Sequence, residues 1–254
     1  MHIVVAVRQV PDLAEGLEID ESGTRLDTSW IKFRLNEFDE HALEQALLLK
    51  ERHGATVTVV TPDIGDPDES LFTCIAKGAD RAVKVQADGE GLSARRAAAV
   101  MAPVIRALQP TLVLTGVQAI DDLEGQLAPF LAQHLELPWV TVVTGVSVDG
   151  NRACVRKEYP GGVVAEMEVD LPAVFGIQAA EQPPRYAAIS KIRQAMKSAQ
   201  LALEAGGEIP APLVEVRRLA KPEATSRARM LEGSPDEVAA EIVRVLVEHG
   251  VLKG

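Results

Sequence analysis

The chain of 254 residues is poor in the side chains that form disulfides and metal sites. Its two cysteines, Cys74 and Cys154, lie far apart in apolar surroundings, and its five histidines form no cluster with the spacing of metal ligands. We therefore expect neither a disulfide framework nor a structural metal, which fits a reducing, cytoplasmic compartment.

Long apolar runs are missing as well. The longest candidate, between Ala97 and Thr115, is interrupted by Arg106, so no stretch reaches the roughly 18 apolar residues that a membrane span needs. The opening residues 1–7 lack the basic start and the cleavage site of a signal peptide, and they are interpreted as a strand. These patterns predict no membrane insertion.

Basic residues are outnumbered by acidic ones. The chain contains 37 acidic and 26 basic residues, which gives a net charge of −11. This charge opposes binding to the phosphates of nucleic acids or to an anionic membrane surface. No nucleic-acid partner is expected.

Motifs of acid–base and nucleophilic catalysis are also absent. The sequence has no Gly-x-Ser-x-Gly, no Walker loop, no His-x-x-x-His, and no Gly-x-Gly-x-x-Gly after a strand. Asp121 and Asp122 are adjacent carboxylates, but neighbouring residues point apart, so a shared proton is not expected. The chain therefore gives no indication of an enzyme with its own acid–base residues.

Short β-branched runs alternate with longer amphipathic stretches. This alternation predicts βαβ units, and hence a mostly parallel, doubly wound α/β sheet with helices on both faces. Asn36 is predicted to cap the first long helix, and Asp66-Pro67 to give a cap followed by proline at the first helical position. The strands are predicted near 2–8, 56–61, 81–85, 111–115 and 139–144, and the helices near 37–53, 67–77, 92–108 and 125–135.

The pattern changes to a small β-meander over residues 145–177. Asp149-Gly150-Asn151 lies between apolar runs and predicts a hairpin turn. A pair of glycines, Gly161-Gly162, separates the next strands.

From about Gln200 the chain becomes an irregular arm rich in glycine and proline. The arm ends in a capping box at Ser234–Glu237, which opens an amphipathic helix to His249. We therefore divide the chain into a nucleotide-binding core, 1–199, and an arm, 200–254. Either the arm packs on a partner chain, or its helix folds back on the core.

Polar and small residues follow the predicted strand 111–115. Because ligands of open α/β sheets lie just beyond the strand ends, Gly116–Asp122 with Gly125 and Gln126 is a candidate nucleotide loop. The Asp pair would bind a ribose, and the free N–H groups of the next helix would hold a phosphate. In the alternative interpretation the segment is an ordinary loop whose Asp pair caps that helix.

This loop resembles the nucleotide loop of the electron transfer flavoprotein β-subunit family, and the resemblance spans roughly residues 1–200. The further stretches that resemble the family are Ala6-Val7-Arg8-Gln9-Val10-Pro11-Asp12, the helix start from Asn36 to Ala46, Gly78-Ala79-Asp80-Arg81-Ala82, Leu171-Pro172-Ala173-Val174 before a last core strand, and Pro184-Arg185-Tyr186.

The resemblance implies an adenine-nucleotide-hydrolase-like core that binds AMP, and an FAD held mostly by an α subunit. In the family the residue at Phe38 approaches the flavin ring, although an aromatic residue at helical spacing with Ala42 and Ala46 is more often a core residue. The implied nucleotide contacts are Ala6, Asn36, Phe38, Asp39, Pro62, Gln118, Ala119, Ile120, Asp121, Asp122, Gly125 and Gln126.

The chain departs from the family pattern around the implied phosphate position. Leu123 replaces an acidic residue, Leu127 and Ala128 replace Thr or Val followed by Gly, and Pro62-Asp63-Ile64 replaces a small residue followed by Gly-Pro. Losing hydroxyl and glycine N–H groups near a phosphate weakens its site.

Residues 182–198, the docking segment, resemble the recognition loop with which the family docks client dehydrogenases. The resemblance assigns the apolar anchor to Ile189, surrounded by Arg185, Tyr186 and Lys191. Without the resemblance the segment would be an ordinary solvated loop. A basic cluster lies here in an otherwise acidic chain, formed by Arg185, Lys191, Arg193 and Lys197.

The resemblance implies the β subunit of a heterodimeric electron transfer flavoprotein. Such a protein carries electrons between acyl-CoA-type dehydrogenases and a downstream acceptor. One alternative keeps the family but places a second FAD where AMP would bind, for flavin-based bifurcation from NADH. The other is a universal-stress-like nucleotide-sensing domain, which needs neither an arm nor an α partner.

Overall fold

The computed structural model describes residues 1–14, 16–87, 92–122, 124–222 and 230–252, so Leu123 lies outside the described residues. The strands are β1 (His2–Ala6), β2 (Gln9–Pro11), β3 (Phe33–Leu35), β4 (Thr56–Pro62), β5 (Arg81–Val85), β6 (Leu112–Gly116), β7 (Trp139–Asp149), β8 (Arg152–Tyr159), β9 (Val163–Asp170), β10 (Ala173–Ile177) and β11 (Ala202–Glu204). The helices are α1 (Glu37–His53), α2 (Asp68–Lys77), α3 (Ala94–Ala107), α4 (Leu127–Leu135), α5 (Ile189–Ser198) and α6 (Pro235–Glu248).

The main sheet has the strand order β11-β5-β4-β1-β6-β10-β7-β8-β9. Pairing is parallel from β11 to β7, whereas β7, β8 and β9 form an antiparallel meander. From β1 the chain first adds β4 and β5 on one side and then crosses to β6 on the other. The predicted doubly wound, mostly parallel fold is confirmed, and its order reverses between β1 and β6.

Alternate residues of the central strands face two separate hydrophobic clusters. Ile3 and Val5 of β1 pack in one cluster with residues of α1 and α2, such as Leu43. Val4 and Ala6 pack in the other with residues of α3 and α4. Because successive side chains of a strand point to opposite faces, helices cover the sheet on both sides.

Two predicted helix starts differ in the structure. Asn36 lies at the N-cap position of α1 with an extended backbone, but its side chain makes no capping hydrogen bond. Its amide instead donates to the carbonyl oxygen of Gln118, at 2.9 Å. α2 begins at Asp68, with Pro67 at the N-cap, because Asp66 adopts a left-handed conformation (φ 51°) that ends the preceding turn.

The meander also differs in one detail. The stretch near 139–144 and the apolar residues 146–148 form a single strand, β7, which is interrupted by a bulge between Val143 and Gly145. Val142 has a φ of 63° at this irregularity, and a β-branched residue rarely adopts that conformation. The predicted hairpin turn at residues 149–151 connects β7 to β8.

The chain divides into two compact units, one of Met1–Glu18 with Leu26–Glu215 and one of Ile19–Arg25 with the residues from Val216 onward. The division therefore falls after Glu215, not at residue 200. β11 pairs in parallel with β5, so residues 202–204 are the edge strand of the main sheet. A strand of three residues has too little periodicity to be recognised in sequence.

In the second unit, α6 begins with the predicted capping box. The Ser234 side chain accepts from the Glu237 backbone N–H, and the Glu237 carboxylate accepts from the Ser234 backbone N–H. No residue of α6 is buried, and Ile242 and Val243 are about half exposed.

Among the described residues, none of the helices has the length and apolar character required to cross a bilayer. The same part of the chain contains no group of three or more His, Cys, Asp or Glu side chains able to hold a metal ion.

Candidate functional site

The carboxyl ends of β1 and β6 meet where the strand order reverses. The two strands are paired, with Ala6 opposite Thr115, and the first turn of α1 lies beside them. Ligands of open α/β sheets bind at such a position. Several of the predicted nucleotide residues are brought together here.

Asp39 joins the two strand ends. Its Oδ2 accepts from the backbone N–H of Arg8 at 2.8 Å, and its Oδ1 accepts from the backbone N–H of Gly116 at 2.9 Å. Burial raises the pKa of Asp39 to about 7, against the opposing effect of these hydrogen bonds and of the Arg8 charge. The carboxylate thus fixes the backbone from which both flanking loops leave.

Gly116 is required by the close approach of α1. A Cβ atom at this residue would lie 2.4 Å from Asp39 Oδ1 and 2.8 Å from the carbonyl carbon of Phe38. The first glycine of the candidate loop therefore serves packing between β6 and α1, whatever ligand the loop binds.

The loop after β6 folds back on itself. Ala119 and Asp122 exchange backbone hydrogen bonds of 3.2 and 3.0 Å, and the Asn36 amide holds the carbonyl of Gln118 from outside. Gly125 has a φ of 62°, and a Cβ atom there would lie 2.5 Å from the carbonyl oxygen of Val117. Only glycine fits at this position.

Arg8 binds both acidic residues of the loop. Its Nη2 lies 2.7 Å from Asp121 Oδ2, and its Nη1 lies 3.5 Å from Asp122 Oδ2. One planar guanidinium thus contacts both carboxylates through different nitrogens, and the expectation that the two share no proton stays a prediction. Burial raises the pKa of Asp122, while the Arg8 charge acts in the opposite direction.

Sequence reasoning assigns no role to Arg8, although it lies in the motif after β1. The sequence did contain a signal for this role, because Arg8 is a single cation that directly follows a parallel strand, at the same edge of the sheet as the Asp pair. Neither Asp121 nor Asp122 caps α4, whose N-cap residue is Gln126, without a side-chain capping bond. The Gln126 side chain thus leaves the N–H groups of Leu127 and Ala128 uncapped, and an anion site uses such groups, whereas Pro129 in the same turn has no N–H.

The remaining predicted contacts surround this edge. Ala6 is buried at the end of β1, Phe38 is partly buried and belongs to neither core cluster, and Ile120 is 41% exposed. Pro62 ends β4, the neighbour of β1. The partly exposed Phe38 and Ile120 are free to contact a flat ring, which argues against Phe38 as a core residue.

The family departures at Leu127 and Ala128 belong to the core. Both residues are buried and pack in the cluster between the sheet, α3 and α4. These two departures therefore contribute side chains to the core packing. The polar groups here that are available to an adenine nucleotide are the half-exposed Asp121 and the N-terminus of α4, since Asn36 is buried and holds the Gln118 carbonyl.

The docking segment lies elsewhere, after β10, and it includes α5. Ile189 is the first residue of α5 and is 61% exposed, Tyr186 is 83% exposed, and Lys191 is exposed. Arg185 differs, because its guanidinium contacts Glu44 and Glu51 of α1. The predicted basic cluster is thus reduced by one charge at the surface.

Comparisons with known proteins show which family the chain is similar to. A family model described as "Electron transfer flavoprotein domain" matches residues 25–205. The chain is similar to "Electron transfer flavoprotein subunit beta" of Methylophilus methylotrophus, with 37% identity over 98% of each chain. It is 29% identical to the protein of the same name from Bacillus subtilis, over 97% of each chain. It is also similar to "Electron transfer flavoprotein subunit beta, mitochondrial" of Oryza sativa subsp. indica, with 37% identity over 77% of this chain and 78% of that one.

Proposed function

The chain belongs to the electron transfer flavoprotein β-subunit family, and from this membership we propose that it is the β subunit of a heterodimeric electron carrier. In this proposal an α subunit holds most of the FAD, and this chain forms one wall of the flavin site. It carries electrons between acyl-CoA-type dehydrogenases and a downstream acceptor. Its two free cysteines are compatible with a cytoplasmic location.

The observation that carries the proposal is the ordered loop at the edge between β1 and β6. Asp39, Asn36 and Arg8 each hold part of it, and α4 begins directly after it. We assign a bound AMP to this site. The α4 N-terminus would hold its phosphate, Asp121 would accept from a ribose hydroxyl, and Phe38 and Ile120 would offer apolar contacts.

The nucleotide in this picture is structural. AMP carries no redox group, so its part is to stabilise the folded state in proportion to its binding. The chain's own residues bind and orient, and none is assigned a proton transfer. Electron transfer itself belongs to the FAD, which supplies the redox chemistry when it is bound.

For the α partner we propose the residues from Val216 onward as the contact. α6 has an apolar side, with Ile242 46%, Val243 52% and Val247 40% exposed. Removing such a surface from water stabilises an association by about 25 cal/mol per Å² of apolar area.

For the client dehydrogenase we propose the docking segment. Ile189 and Tyr186 are exposed apolar and aromatic side chains beside Lys191, and such an arrangement is typical of a binding hot spot with a charged rim. The charge of the rim would steer association with an acidic partner surface.

The test is to purify the chain together with its α subunit, denature the complex and quantify the released nucleotides. One FAD and one AMP per heterodimer are expected. Two FAD molecules would instead support a bifurcating member of the family, in which the same loop holds a second flavin. A chain that is stable alone and binds an adenine nucleotide without an α partner would support the nucleotide-sensing alternative.

A further inference from the structure

Arg185 of the docking segment is bound by a buried carboxylate of α1. Its Nε and Nη2 donate to the two oxygens of Glu44 at distances between 2.8 and 3.1 Å, and its backbone N–H donates to Glu44 Oε2 at 2.9 Å. The Glu44 side chain is 4% exposed. Nη1 reaches Glu51, two turns further along the same helix face, at 2.7 Å. All three nitrogens of the guanidinium therefore donate to carboxylates of α1.

The residues before Arg185 are held by the same helix. The Ala180 N–H donates to His41 Nδ1 at 3.2 Å, and the Glu181 N–H donates to Gln45 Oε1 at 3.2 Å. Arg52 binds the Glu181 carboxylate through both terminal nitrogens, at 3.1 and 2.5 Å. This ion pair lowers the pKa of Glu181.

The chain between β10 and α5 has no strand or helix of its own to fix it. Side chains of α1 accept the backbone N–H groups of Ala180, Glu181 and Arg185 in place of a regular ladder. Pro183 and Pro184 restrict the backbone between these contacts. The α1 side chains thus determine the path of the segment.

We propose that Glu44 is a positioning residue for client docking: by holding Arg185 against α1 it fixes the start of α5 and with it the exposed anchor Ile189. Arg185 serves this internal contact in place of a contact with the client. The inference rests on the proposed function, in which Ile189 docks the dehydrogenase.

The Arg185 contact is linked to the anchor by a short stretch of chain. Ile189 follows Arg185 by four residues, so an Arg185 fixed on α1 limits the anchor to about 14 Å of extended chain. α5 then starts at once, with the Lys191 and Ile192 N–H groups both bound to the carbonyl of Ala188. Without the contact, only a fraction of molecules would present Ile189 correctly, and the apparent affinity would fall by that fraction.

The experiment compares variants of the complete heterodimer with an acyl-CoA-type dehydrogenase as electron donor. Glu44→Gln keeps the side-chain shape but removes the charge that Arg185 requires. We expect the apparent KM for the dehydrogenase to rise about tenfold, with kcat at saturating dehydrogenase unchanged. Hydrogen exchange of the amides of residues 180–188 should accelerate. Flavin content and reduction by dithionite should stay normal.

A second variant keeps the proposal testable if Glu44→Gln does not assemble. Arg185→Lys retains the positive charge but loses the planar fork, and it should also raise KM for the dehydrogenase. Arg152→Lys is the matched control, because Arg152 likewise contacts two carboxylates, Glu168 and Asp170, on the β8–β9 hairpin. It should leave KM unchanged.

A double variant separates positioning from a general loss of stability. If Glu44 acts through Ile189, then Ile189→Ala should have a smaller effect in the Glu44→Gln background than in the natural chain. An unchanged KM in both Glu44→Gln and Arg185→Lys, or effects that simply multiply with Ile189→Ala, would overturn the positioning role. An Ile189→Ala variant with a normal KM would instead contradict the docking proposal on which this inference rests.

Discussion

Asp39 and Gly116 are joined by a hydrogen bond of 2.9 Å, and a Cβ atom on residue 116 would lie 2.4 Å from the same carboxylate oxygen. The contact connects α1 to the end of β6, where the candidate nucleotide loop begins.

Gly116→Ala should destabilise the protein by about 2 to 3 kcal/mol, because the added methyl group has to displace backbone of α1. Bound AMP should fall in parallel, since the loop leaves from this residue. The measurement is the thermal midpoint of the heterodimer together with its nucleotide content. Gly16→Ala is the control, because a Cβ atom at Gly16 meets nothing within 4 Å. A Gly116→Ala variant as stable as this control would contradict the packing role.

Asp39→Asn should change how stability depends on pH. Burial raises the pKa of Asp39 from its ordinary value of 3.8 to about 7 in the folded protein. The folded state therefore binds the proton more tightly than the unfolded state. This contribution to stability is present below pH 4 and is lost as the pH rises to 7, by about 4 kcal/mol at most. The neutral amide has no such titration. The difference in unfolding free energy between the natural chain and the variant should therefore shift in favour of the variant between pH 4 and 7, and a constant difference would contradict the buried titration.

Asp121→Ala should lower the amount of AMP that co-purifies with the heterodimer, because the residue is assigned to the ribose. Ligand-linked stability would fall with it, by about 3 kcal/mol at a hundredfold excess of nucleotide over the dissociation constant. Arg8→Gln should have the same direction, since it releases both carboxylates of the loop. Thermal midpoints measured with and without added AMP test this. If the natural heterodimer released no AMP and no second FAD, the loop would be purely structural.

Truncation after Glu215 should weaken association with the α subunit while leaving the sheet folded. The cut spares Gly206 and Gly207, whose missing side chains let residues 205–211 lie against α3 and the end of β5. The test is co-purification with the α subunit and circular dichroism of the truncated chain. Unchanged heterodimer yield and flavin content would remove the basis for the arm as an α contact.

Ile189→Ala should reduce electron transfer from the client dehydrogenase about thirtyfold, which corresponds to a loss of about 2 kcal/mol at an apolar anchor. Lys191→Glu should cause a smaller loss that diminishes as salt is added, because exposed charges are screened over about 8 Å at physiological ionic strength. Rates are measured with the flavin spectrum as a control. A bleached flavin in Ile189→Ala would assign the residue to the subunit interface or core.

Much of the fold was accessible from the sequence because the core strands are short apolar runs and the helices are amphipathic. The bounds of α1 and the capping box of α6 follow from local chemistry that the nearby residues contain in full. β11 was not accessible, since its three residues become a strand only by pairing with β5.

The sequence predicts where the site residues lie along the chain, but it does not predict which groups they contact. The sequence locates Asn36, Asp39 and Asp121 at strand and helix ends, yet their partners come from other elements. Asn36 is of a residue type that commonly caps helices, but its side chain instead binds the Gln118 carbonyl. Arg185, as an arginine in a loop, is expected to be a solvated surface charge, but it instead binds the buried Glu44. Such choices depend on which groups tertiary packing brings within hydrogen-bond distance.

α1 contacts both the candidate nucleotide loop and the chain that leads into the docking segment. Asp39 lies in its first turn, and Glu44, Glu51 and Arg52 follow along the same helix. A helix turns by about 100° per residue, so inserting or deleting one residue between Asp39 and Glu44 would rotate one set of contacts away from its partner while the other stayed in place. The number of residues between these two carboxylates is therefore fixed by two requirements at once. Relatives that keep both regions should tolerate substitutions along this stretch of α1 far better than changes in its length.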